Sequence, residues 1–193
     1  LGFPNELNYC KGGYMKYISY YNSPLGKIML TSDGEAVTGA WFEGEPEFEP
    51  DRNKNVPLKE NPVLREARTW LDVYFSGKNP GKMPSLRTEG TKFQKRVWAV
   101  LLQIPYGKTM TYGAIAKEIM EETGQKKMSA QAVGGAVGRN PVSLFCPCHR
   151  VIGAGGKLTG YAGGVDKKQA LLALEKADMT GCFVPLKKYK AVK

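Results

Sequence analysis

The sequence predicts an α+β fold in which a β-rich N-terminal half precedes a helical C-terminal half. Three observations support this prediction. Short apolar runs separated by turn residues fill the first half, apolar residues with helical spacing dominate after Thr91, and a stretch rich in Gly, Pro and Lys lies between them. With 193 residues, 42% of them hydrophobic and 24% charged, the chain can form one or two small globular domains.

The N-terminal half begins with a predicted β-hairpin. Residues 17–21 and 27–32 are apolar runs around a turn, and Asp33-Gly34 forms a second turn before the run 36–42. The acidic, Pro-containing residues 43–55 are predicted to form a loop. A helix is predicted over residues 62–75, and its apolar stripe consists of Leu64, Ala67, Trp70, Leu71, Tyr74 and Phe75.

The C-terminal half predicts three helices. Apolar spacing marks the first over residues 93–102, Thr111 can cap a second over residues 112–122, and the third spans about residues 129–138. Two helices joined by the short polar turn 124–127 in a basic chain indicate a helix-turn-helix. A plain pair of antiparallel helices is the alternative.

These patterns predict the domain organisation. We expect a leader or cloning remnant at residues 1–14, an N-terminal domain at 15–80, a linker at 81–91, a second domain at 92–180 and a basic tail at 181–193. No apolar run approaches the roughly 20 residues that a bilayer requires, and no signal peptide is recognisable. A cytoplasmic protein without a membrane partner is the expectation.

Charge and cysteine content narrow the function. Lys and Arg number 28 against 18 Asp and Glu, so the net charge of +10 favours a polyanionic partner, although it does not separate DNA, RNA and acidic membranes. Cys10, Cys146, Cys148 and Cys182 are scattered except for one C-x-C pair, which rarely forms a disulfide. Free thiols in a reducing compartment are predicted.

Two segments could perform chemistry or recognition. The third helix, residues 129–138, consists almost entirely of small residues, which suits either tight helix packing or close approach to a nucleic acid. Cys148 is followed by His149, the only histidine, and by Arg150, residue types that can activate a thiol nucleophile. Adjacent side chains diverge in a strand, so a Cys–His contact would need a turn or a bridging water.

Other chemistries fit the sequence less well. A zinc site at Cys146, Cys148 and His149 lacks the usual ligand spacing. A thiol hydrolase would need a separate histidine, although Asn140 could serve as its orienting residue. Dispersed acidic residues argue against a metal-dependent nuclease, and residues 153–156 lack the Gly-Lys-Ser/Thr ending of a phosphate-binding loop.

Several motifs occur together between residues 93 and 175. They are Phe93-Gln94, Val97-Trp98, Ile104-Pro105-Tyr106-Gly107, Thr111-Tyr112-Gly113, Ala132-Val133-Gly134-Gly135-Ala136, Asn140-Pro141, Pro147-Cys148-His149-Arg150-Val151 and Gly160-Tyr161-Ala162-Gly163-Gly164. In this combination the chain resembles the methylated-DNA–protein-cysteine methyltransferases, or O6-alkylguanine-DNA alkyltransferases. The resemblance implies a small, α/β-like ribonuclease-H-like N-terminal domain followed by a helix-turn-helix, winged-helix-like alkyltransferase domain.

The resemblance also implies a reaction and its residues. Cys148 would irreversibly accept the alkyl group of O6-alkylguanine, and of O4-alkylthymine, in one turnover on a flipped base. His149 would take the thiol proton through a water, Glu175 would orient His149, and Asn140 would tie the recognition helix to the active-site strand. Tyr112 would rotate the target nucleotide's phosphate and donate to N3 of guanine. Further implied base contacts are the carbonyls of Cys148 and Val151, the Ala162 amide and the Tyr161 ring.

DNA contacts follow from the same resemblance. The small-residue helix would enter the minor groove of double-stranded DNA. Gln131 stands where many relatives have an Arg that fills the gap of the flipped base, so weaker or differently salt-dependent binding is expected. The implied DNA-contacting residues are Ala130, Gln131, Ala132, Gly134, Gly135, Arg139 and Arg150.

We further expect a monomer that uses no cofactor. No zinc is expected either, because the histidines of the structural zinc site of some relatives are missing. The alternative is a non-enzymatic lesion-binding protein of the alkyltransferase-like class, but those proteins replace the acceptor cysteine, which Cys148 retains.

Overall fold

The computed structural model describes residues 17–48 and 61–185. These residues form a three-stranded antiparallel sheet with one helix, followed by four α-helices and a short parallel strand pair. The predicted α+β fold class is confirmed. Predictions for residues 1–14, for residues 49–55 of the acidic loop, for Cys10 and for the tail beyond residue 185 lie outside the described residues. None of the helices in the two described ranges is long and apolar enough to cross a membrane.

The N-terminal sheet follows the predicted hairpins. Its strands have the order β1-β2-β3 and span Tyr17–Ser23, Gly26–Ser32 and Val37–Phe42. Ile18 pairs with Thr31, and Leu30 pairs with Ala40. Gly26 closes the first turn at a φ of 115°, a backbone region that glycine enters without steric cost.

Helix α1 (Pro62–Phe75) covers one face of this sheet, with the bounds that the sequence predicts. Its start is fixed by Asn61, whose side chain accepts a hydrogen bond from Leu64 N at 2.8 Å, and by Pro62 in the first turn. The predicted stripe is buried except for Phe75, which is partly buried, and full burial of Leu71 alone contributes roughly 2 kcal/mol.

The three predicted C-terminal helices are present. They are α2 (Lys92–Gln103), α3 (Tyr112–Thr123) and α4 (Ala130–Val137). Each begins at a side-chain hydroxyl cap, provided by Thr91, Thr111 and Ser129, because that oxygen accepts a backbone N–H which the first turn leaves unpaired. Gly124 ends α3 in the left-handed conformation, at a φ of 69°.

Two further features were not predicted from the sequence. Strands β4 (Met110–Thr111) and β5 (Val151–Ile152) form a two-residue parallel pair, too short to show a periodic pattern. Helix α5 (Val165–Leu174) begins after Gly164 without a side-chain cap, and it buries Lys168 among its apolar residues. Helix α5 therefore lacks both the capping signal and the clean apolar stripe of the other helices.

Backbone hydrogen bonds join the two halves of the molecule. Ala40 N, on the outer edge of β3, donates to Pro141 O at 2.9 Å, and Ala40 O accepts from Ser143 N at 3.0 Å. Nearby, the rings of Trp70 and Phe145 lie 4.9 Å apart. One hydrophobic core cluster therefore contains residues from both halves.

The predicted linker, residues 81–91, is also hydrogen-bonded to the sheet. Val37 N donates to Ser85 O at 2.8 Å, and Arg87 N donates to Val37 O at 2.9 Å. The Arg87 side chain forms an ion pair with Asp33 in the turn before β3. The connection between the halves is thus held along the same sheet edge.

Candidate active site

Cys148 begins a 3₁₀ turn, Cys148–Arg150, that leads into β5. The residue is 6% exposed. Asn140 Nδ2 donates to Cys148 Sγ at 3.2 Å and to Cys146 O at 2.7 Å, while its Oδ1 accepts from Val142 N at 3.1 Å. Asn140 thus connects the segment after α4 to the turn that carries Cys148.

The imidazole of His149 is fully buried beside Glu175, the residue at the carboxyl end of α5. His149 Nε2 lies 2.7 Å from Glu175 Oε1. Because a carboxylate only accepts hydrogen bonds, we assign the proton of the neutral imidazole to Nε2. Nδ1 has no hydrogen-bond partner among the described residues, so its lone pair is available to a proton.

The Glu175 carboxylate accepts five hydrogen bonds from described residues. The donors are Tyr74 Oη (2.7 Å), His149 Nε2 (2.7 Å), Gly107 N (3.0 Å), Arg150 Nε (2.9 Å) and Arg150 Nη2 (3.0 Å). Burial alone would raise the pKa of this carboxyl, but the hydrogen bonds from His149 and Arg150 and the charge of Arg150 lower its pKa to about 2. Glu175 is therefore an anion at neutral pH.

Arg150 faces inward. It is 8% exposed, its Nε and Nη2 donate to Glu175, and its Nη1 donates to Ile104 O at 2.6 Å. The contact of Arg150 with DNA stays a prediction, and the structure gives this guanidinium group buried acceptors instead.

Burial also sets the protonation of Cys148 and His149. It raises the pKa of the Cys148 thiol to about 11, only partly opposed by the hydrogen bond from Asn140. Burial lowers the pKa of His149, and the hydrogen bond and charge of Glu175 only partly oppose this. The resting pair is thus a thiol and a neutral imidazole, and a nucleophilic thiolate requires proton removal.

Two tyrosines lie beside this centre. Tyr112, the first residue of α3, donates its hydroxyl to Thr159 O at 3.2 Å. A Cβ at Gly160 would meet this hydroxyl at 2.8 Å, so glycine permits the close contact. The ring of Tyr161 lies 6.4 Å from that of His149, with the two planes at 81°.

The predicted base contacts lie in and around β5, at Cys148, Val151, Tyr161 and Ala162. The carbonyl of Val151 accepts a hydrogen bond from the buried Lys168, whose Nζ also donates to Thr159 O at 2.8 Å. Burial lowers the pKa of Lys168 to about 8. Lys168 thereby joins β5 to the segment before Tyr161, and Ala162 is exposed in the turn that follows.

Helix α4 presents one face to solvent and one to the core. Val133, Ala136 and Val137 are buried. The exposed or partly exposed residues are Ala130, Gln131, Ala132, Gly134, Gly135 and, just beyond the helix, Arg139. A Cβ on Gly134 would be 3.7 Å from the Tyr112 ring, and one on Gly135 would be 3.6 Å from Arg139 Nη1. Internal packing therefore does not require glycine at either position.

The other described cysteines have different surroundings. Cys146 is buried with its Sγ 3.8 Å from Trp98 O, and Cys182 is half-buried. Over residues 17–48 and 61–185, no three His, Cys, Asp or Glu side chains are grouped so as to hold a metal ion.

Two residues that the N-terminal half contributes to this region were not predicted from the sequence. Tyr74 was identified only as part of an apolar stripe, yet its hydroxyl contacts Glu175. Glu45 is 4% exposed, accepts from Phe42 N at 3.0 Å and lies against Gly163. No local pattern signals either contact, because each joins segments roughly 100 residues apart.

Comparison with protein families matches both halves of the chain. Residues 16–81 match the 6-O-methylguanine DNA methyltransferase, ribonuclease-like domain, and residues 92–177 match the 6-O-methylguanine DNA methyltransferase, DNA binding domain. A methylated-DNA–protein-cysteine methyltransferase of Methanosarcina acetivorans is 46% identical over 161 residues, covering 82% of this chain and 97% of its own. One of Haemophilus influenzae is 41% identical, covering 83% and 86%.

Solved structures that superpose on this chain are described as O6-methylguanine methyltransferases as well. The O6-methylguanine methyltransferase of Mycobacterium tuberculosis superposes with a TM-score of 0.72 at 41% identity, covering 86% of this chain and 98% of its own. A complex of the M. tuberculosis protein with DNA has the same TM-score at 37% identity and the same coverage.

Proposed function

The chain belongs to the 6-O-methylguanine DNA methyltransferase family, which transfers an alkyl group from DNA to a cysteine of the protein, and we propose that Cys148 is this acceptor. The protein is an enzyme of DNA repair with a DNA-binding domain. The observation that supports Cys148 most strongly is the hydrogen bond from the neutral His149 to the ionised Glu175. It leaves His149 Nδ1, on the residue next to the thiol, without a hydrogen-bond partner in the part of the chain that the structure describes.

Proton removal is the first proposed step. His149 Nδ1 takes the Cys148 thiol proton through a water molecule, and the imidazolium that forms is stabilised by the hydrogen bond from Nε2 to Glu175. Asn140 Nδ2, which lies 3.2 Å from Sγ, stabilises the thiolate as a hydrogen-bond donor.

Alkyl transfer is the second step. The thiolate attacks the alkyl carbon, the S–C bond forms, and the bond from that carbon to O6 of guanine breaks with its electron pair on the base. Tyr112 redirects its hydroxyl from Thr159 O to N3 of the departing guanine and so offsets the developing charge. The thioether is stable, so each molecule reacts once. O4-alkylthymine is the second proposed substrate.

The base must leave the helix to reach this thiol, because a stacked base keeps its alkyl group away from buried side chains. We propose that the exocyclic amine of guanine donates hydrogen bonds to the carbonyls of Cys148 and Val151. The backbone amide of Ala162 donates to O6. Tyr161, whose ring packs near His149, walls the pocket.

Helix α4 is proposed to enter the minor groove of double-stranded DNA. Apart from Gln131, its exposed face consists of small residues, and internal packing does not require glycine at 134 and 135, which favours close approach of a nucleic-acid backbone. Arg139 follows the helix and would contact phosphates. Contact of Arg150 with DNA stays a prediction; in this structure its guanidinium nitrogens donate to Glu175 and to Ile104 O.

Gln131 is proposed to fill the gap that the flipped base leaves. Its exposed side chain can hydrogen-bond the unpaired cytosine but adds no positive charge. We expect Gln131→Arg to bind lesion DNA more tightly and with a steeper salt dependence, by up to one unit in the slope of log affinity against log salt. Fluorescence anisotropy at several salt concentrations measures this, and unchanged affinity together with an unchanged repair rate would remove Gln131 from this role.

A labelled-methyl assay tests the acceptor. Wild-type protein incubated with duplex DNA carrying isotope-labelled O6-methylguanine should take up one label per molecule and then stop. Cys148→Ala should take up none, while Cys146→Ala, which removes the neighbouring thiol, should retain uptake. Binding without uptake in the wild type would indicate a lesion-binding protein, and repeated turnover would indicate a hydrolase.

We further propose that the protein acts as a monomer in the cytoplasm. Every residue assigned to the reaction comes from one chain, and the described cysteines are free thiols that suit a reducing compartment. Sedimentation equilibrium with and without DNA tests the oligomeric state, and a dimeric free protein would contradict it.

A further inference from the structure

Tyr74 brings a hydroxyl from the N-terminal half into the proposed catalytic centre. It lies near the end of α1, is fully buried, and is separated from Glu175 by 101 positions. Its Oη donates to Glu175 Oε1 at 2.7 Å and lies 3.3 Å from His149 Nε2. Tyr74 and His149 thus bind the same carboxylate oxygen at the same distance.

The ring of Tyr74 is held on several sides. It stacks on Trp70 with centroids 5.3 Å apart and planes at 9°, and it meets Phe75, Tyr106 and His149 edge to face. Burial and the negative charge of Glu175 raise the pKa of Tyr74 well above its usual value of 10.0. The hydroxyl therefore stays protonated, fixed in place and committed to donation.

We infer that Tyr74 is a positioning residue for the transfer reaction: by donating to the Glu175 oxygen that His149 shares, it orients the carboxylate and limits how strongly His149 holds a proton. This inference rests on the proposed function, in which His149 is the base. The N-terminal half then does more than support the fold, because it sets the protonation of a catalytic side chain in the other half.

The direction of the effect follows from hydrogen bonding to a shared acceptor. Oε1 also accepts a hydrogen bond from Arg150 Nη2 at 3.0 Å, so Tyr74 and His149 are two of its three donors. Each added donor withdraws negative charge from that oxygen, so the oxygen stabilises an imidazolium less well when Tyr74 donates to it. Removal of the Tyr74 hydroxyl should strengthen the bond between Glu175 and His149. The pKa of His149 should then rise.

The Tyr74→Phe substitution leaves the other charged groups around His149 unchanged. Burial and the positive charges of Arg150 and Lys168 lower the pKa of His149, and the hydrogen bond and charge of Glu175 raise it. Within the described ranges, the titratable or charged groups around the imidazole are Glu175, Arg150, Lys168, Tyr74 and Tyr161, and the Cys148 thiol belongs to the preceding residue. Tyr74→Phe removes one oxygen from this set and leaves no buried donor unpaired.

Because His149 is the only histidine of the chain, NMR can follow its imidazole without ambiguity. We expect Tyr74→Phe to raise the pKa of His149 by about one unit, a tenfold change in proton affinity. The acid-side inflection in the pH dependence of methyl transfer should move upward by the same amount. Thermal unfolding monitored by circular dichroism verifies that the variant is folded.

Tyr106→Phe is the matched control. Tyr106 packs edge-on against Tyr74 at 6.0 Å, but its hydroxyl donates to Leu174 O at 3.4 Å and not to the carboxylate. This control should leave the pKa of His149 and the inflection unchanged. An unmoved or lowered His149 pKa in folded Tyr74→Phe, or an equal rise in the control, would overturn the inference. The NMR titration needs no substrate, so failure of wild-type methyl transfer would count against the proposed function alone.

Discussion

Two buried carboxyl groups in the site region have pKa values displaced in opposite directions. Burial alone would raise the pKa of Glu175, but hydrogen bonds from His149 and Arg150 and the charge of Arg150 lower it to about 2. Glu45 accepts one hydrogen bond, from Phe42 N, and burial raises its pKa to about 7. The first group is thus fixed as an anion, whereas the second changes charge near neutral pH.

Glu45 should make the fold less stable as the pH rises. Its folded pKa of about 7 exceeds the unfolded value of 4.5, so its contribution is complete below pH 4.5 and is lost as the pH rises through 7. We expect Glu45→Gln, which keeps an acceptor for Phe42 N, to raise the free energy of unfolding at pH 8 by up to about 3 kcal/mol. At pH 4.5 the variant should equal the wild type, as measured by urea denaturation.

Glu43 provides the control for this effect. It is exposed in the turn after β3 and is not among the groups that raise the pKa of Glu45, so Glu43→Gln should change stability by less than about 0.5 kcal/mol at either pH. A Glu45→Gln variant whose stability gain is equal at pH 4.5 and pH 8 would refute the assignment of a displaced carboxyl pKa.

Functional residues can be predicted from the sequence when they lie in short motifs with other functional residues. Cys148, His149 and Asn140 occur in compact motifs, and Glu175 entered through the family resemblance. Tyr74, Glu45 and Lys168 are not marked in this way, because their roles arise from contacts across the fold. A tyrosine on an apolar helix stripe gives no sign that its hydroxyl will meet a carboxylate.

At the scale of secondary structure, α4 combines a buried side with an exposed side that has almost no side-chain bulk. Trp98 Nε1 donates to Ala136 O at 2.9 Å and fixes the buried side. Gly135 lies on the exposed side, where a side chain would meet only the end of Arg139. Glycine within a helix costs about 1 kcal/mol relative to alanine, so Gly135 lowers the stability of α4. Its lack of a side chain allows a partner to approach the helix closely.

Gly135→Leu should therefore separate stability from binding. We expect an unfolding free energy equal to the wild type or higher by up to about 1 kcal/mol, because leucine favours the helix. Affinity for lesion-containing duplex should fall at least about tenfold, since the added side chain cannot enter a narrow groove. Urea denaturation and fluorescence anisotropy measure the two effects.

Ala99→Leu is the matched control, because Ala99 is exposed on α2, outside the proposed DNA surface. It should leave DNA affinity unchanged. Destabilisation of Gly135→Leu by more than about 2 kcal/mol would instead point to internal packing as the reason for glycine.

The helices that are predicted correctly are those in which the capping residue and the apolar periodicity agree. Helices α1 to α4 each have a side-chain cap and a spaced apolar face, and their predicted positions are confirmed. Helix α5 lacks a side-chain cap and buries Lys168, so the helix that carries Glu175 was missed. The 3₁₀ turn at Cys148 was also not predicted, because its geometry depends on contacts with Asn140 and on the strand β5 that follows.

At the scale of the whole molecule, the halves share one core and one hydrogen-bonded edge. Ala40 of β3 bonds to the segment between α4 and Cys148 through both its N–H and its carbonyl. Tyr74 then connects the same N-terminal half to Glu175. We infer that opening of either half disturbs the active site.

Hydrogen exchange should show that the halves open together. We expect the amides of Ala40 and Ser143, which lie on opposite sides of the joint, to exchange with the same free energy of opening under native conditions. NMR exchange across a range of low denaturant concentrations measures both. A Ser143 amide that exchanges through a separate, low-energy opening would contradict a single cooperative unit.

The central claim is that Cys148 itself becomes alkylated. The most direct measurement is peptide mass spectrometry after incubation with duplex DNA containing O6-methylguanine. We predict that the peptide carrying Cys148 gains the mass of one CH₂, that fragmentation places it on Cys148 rather than Cys146, and that Cys182 stays unmodified. An unshifted Cys148 peptide after repair of the DNA, or a methyl group on another residue, would contradict this account.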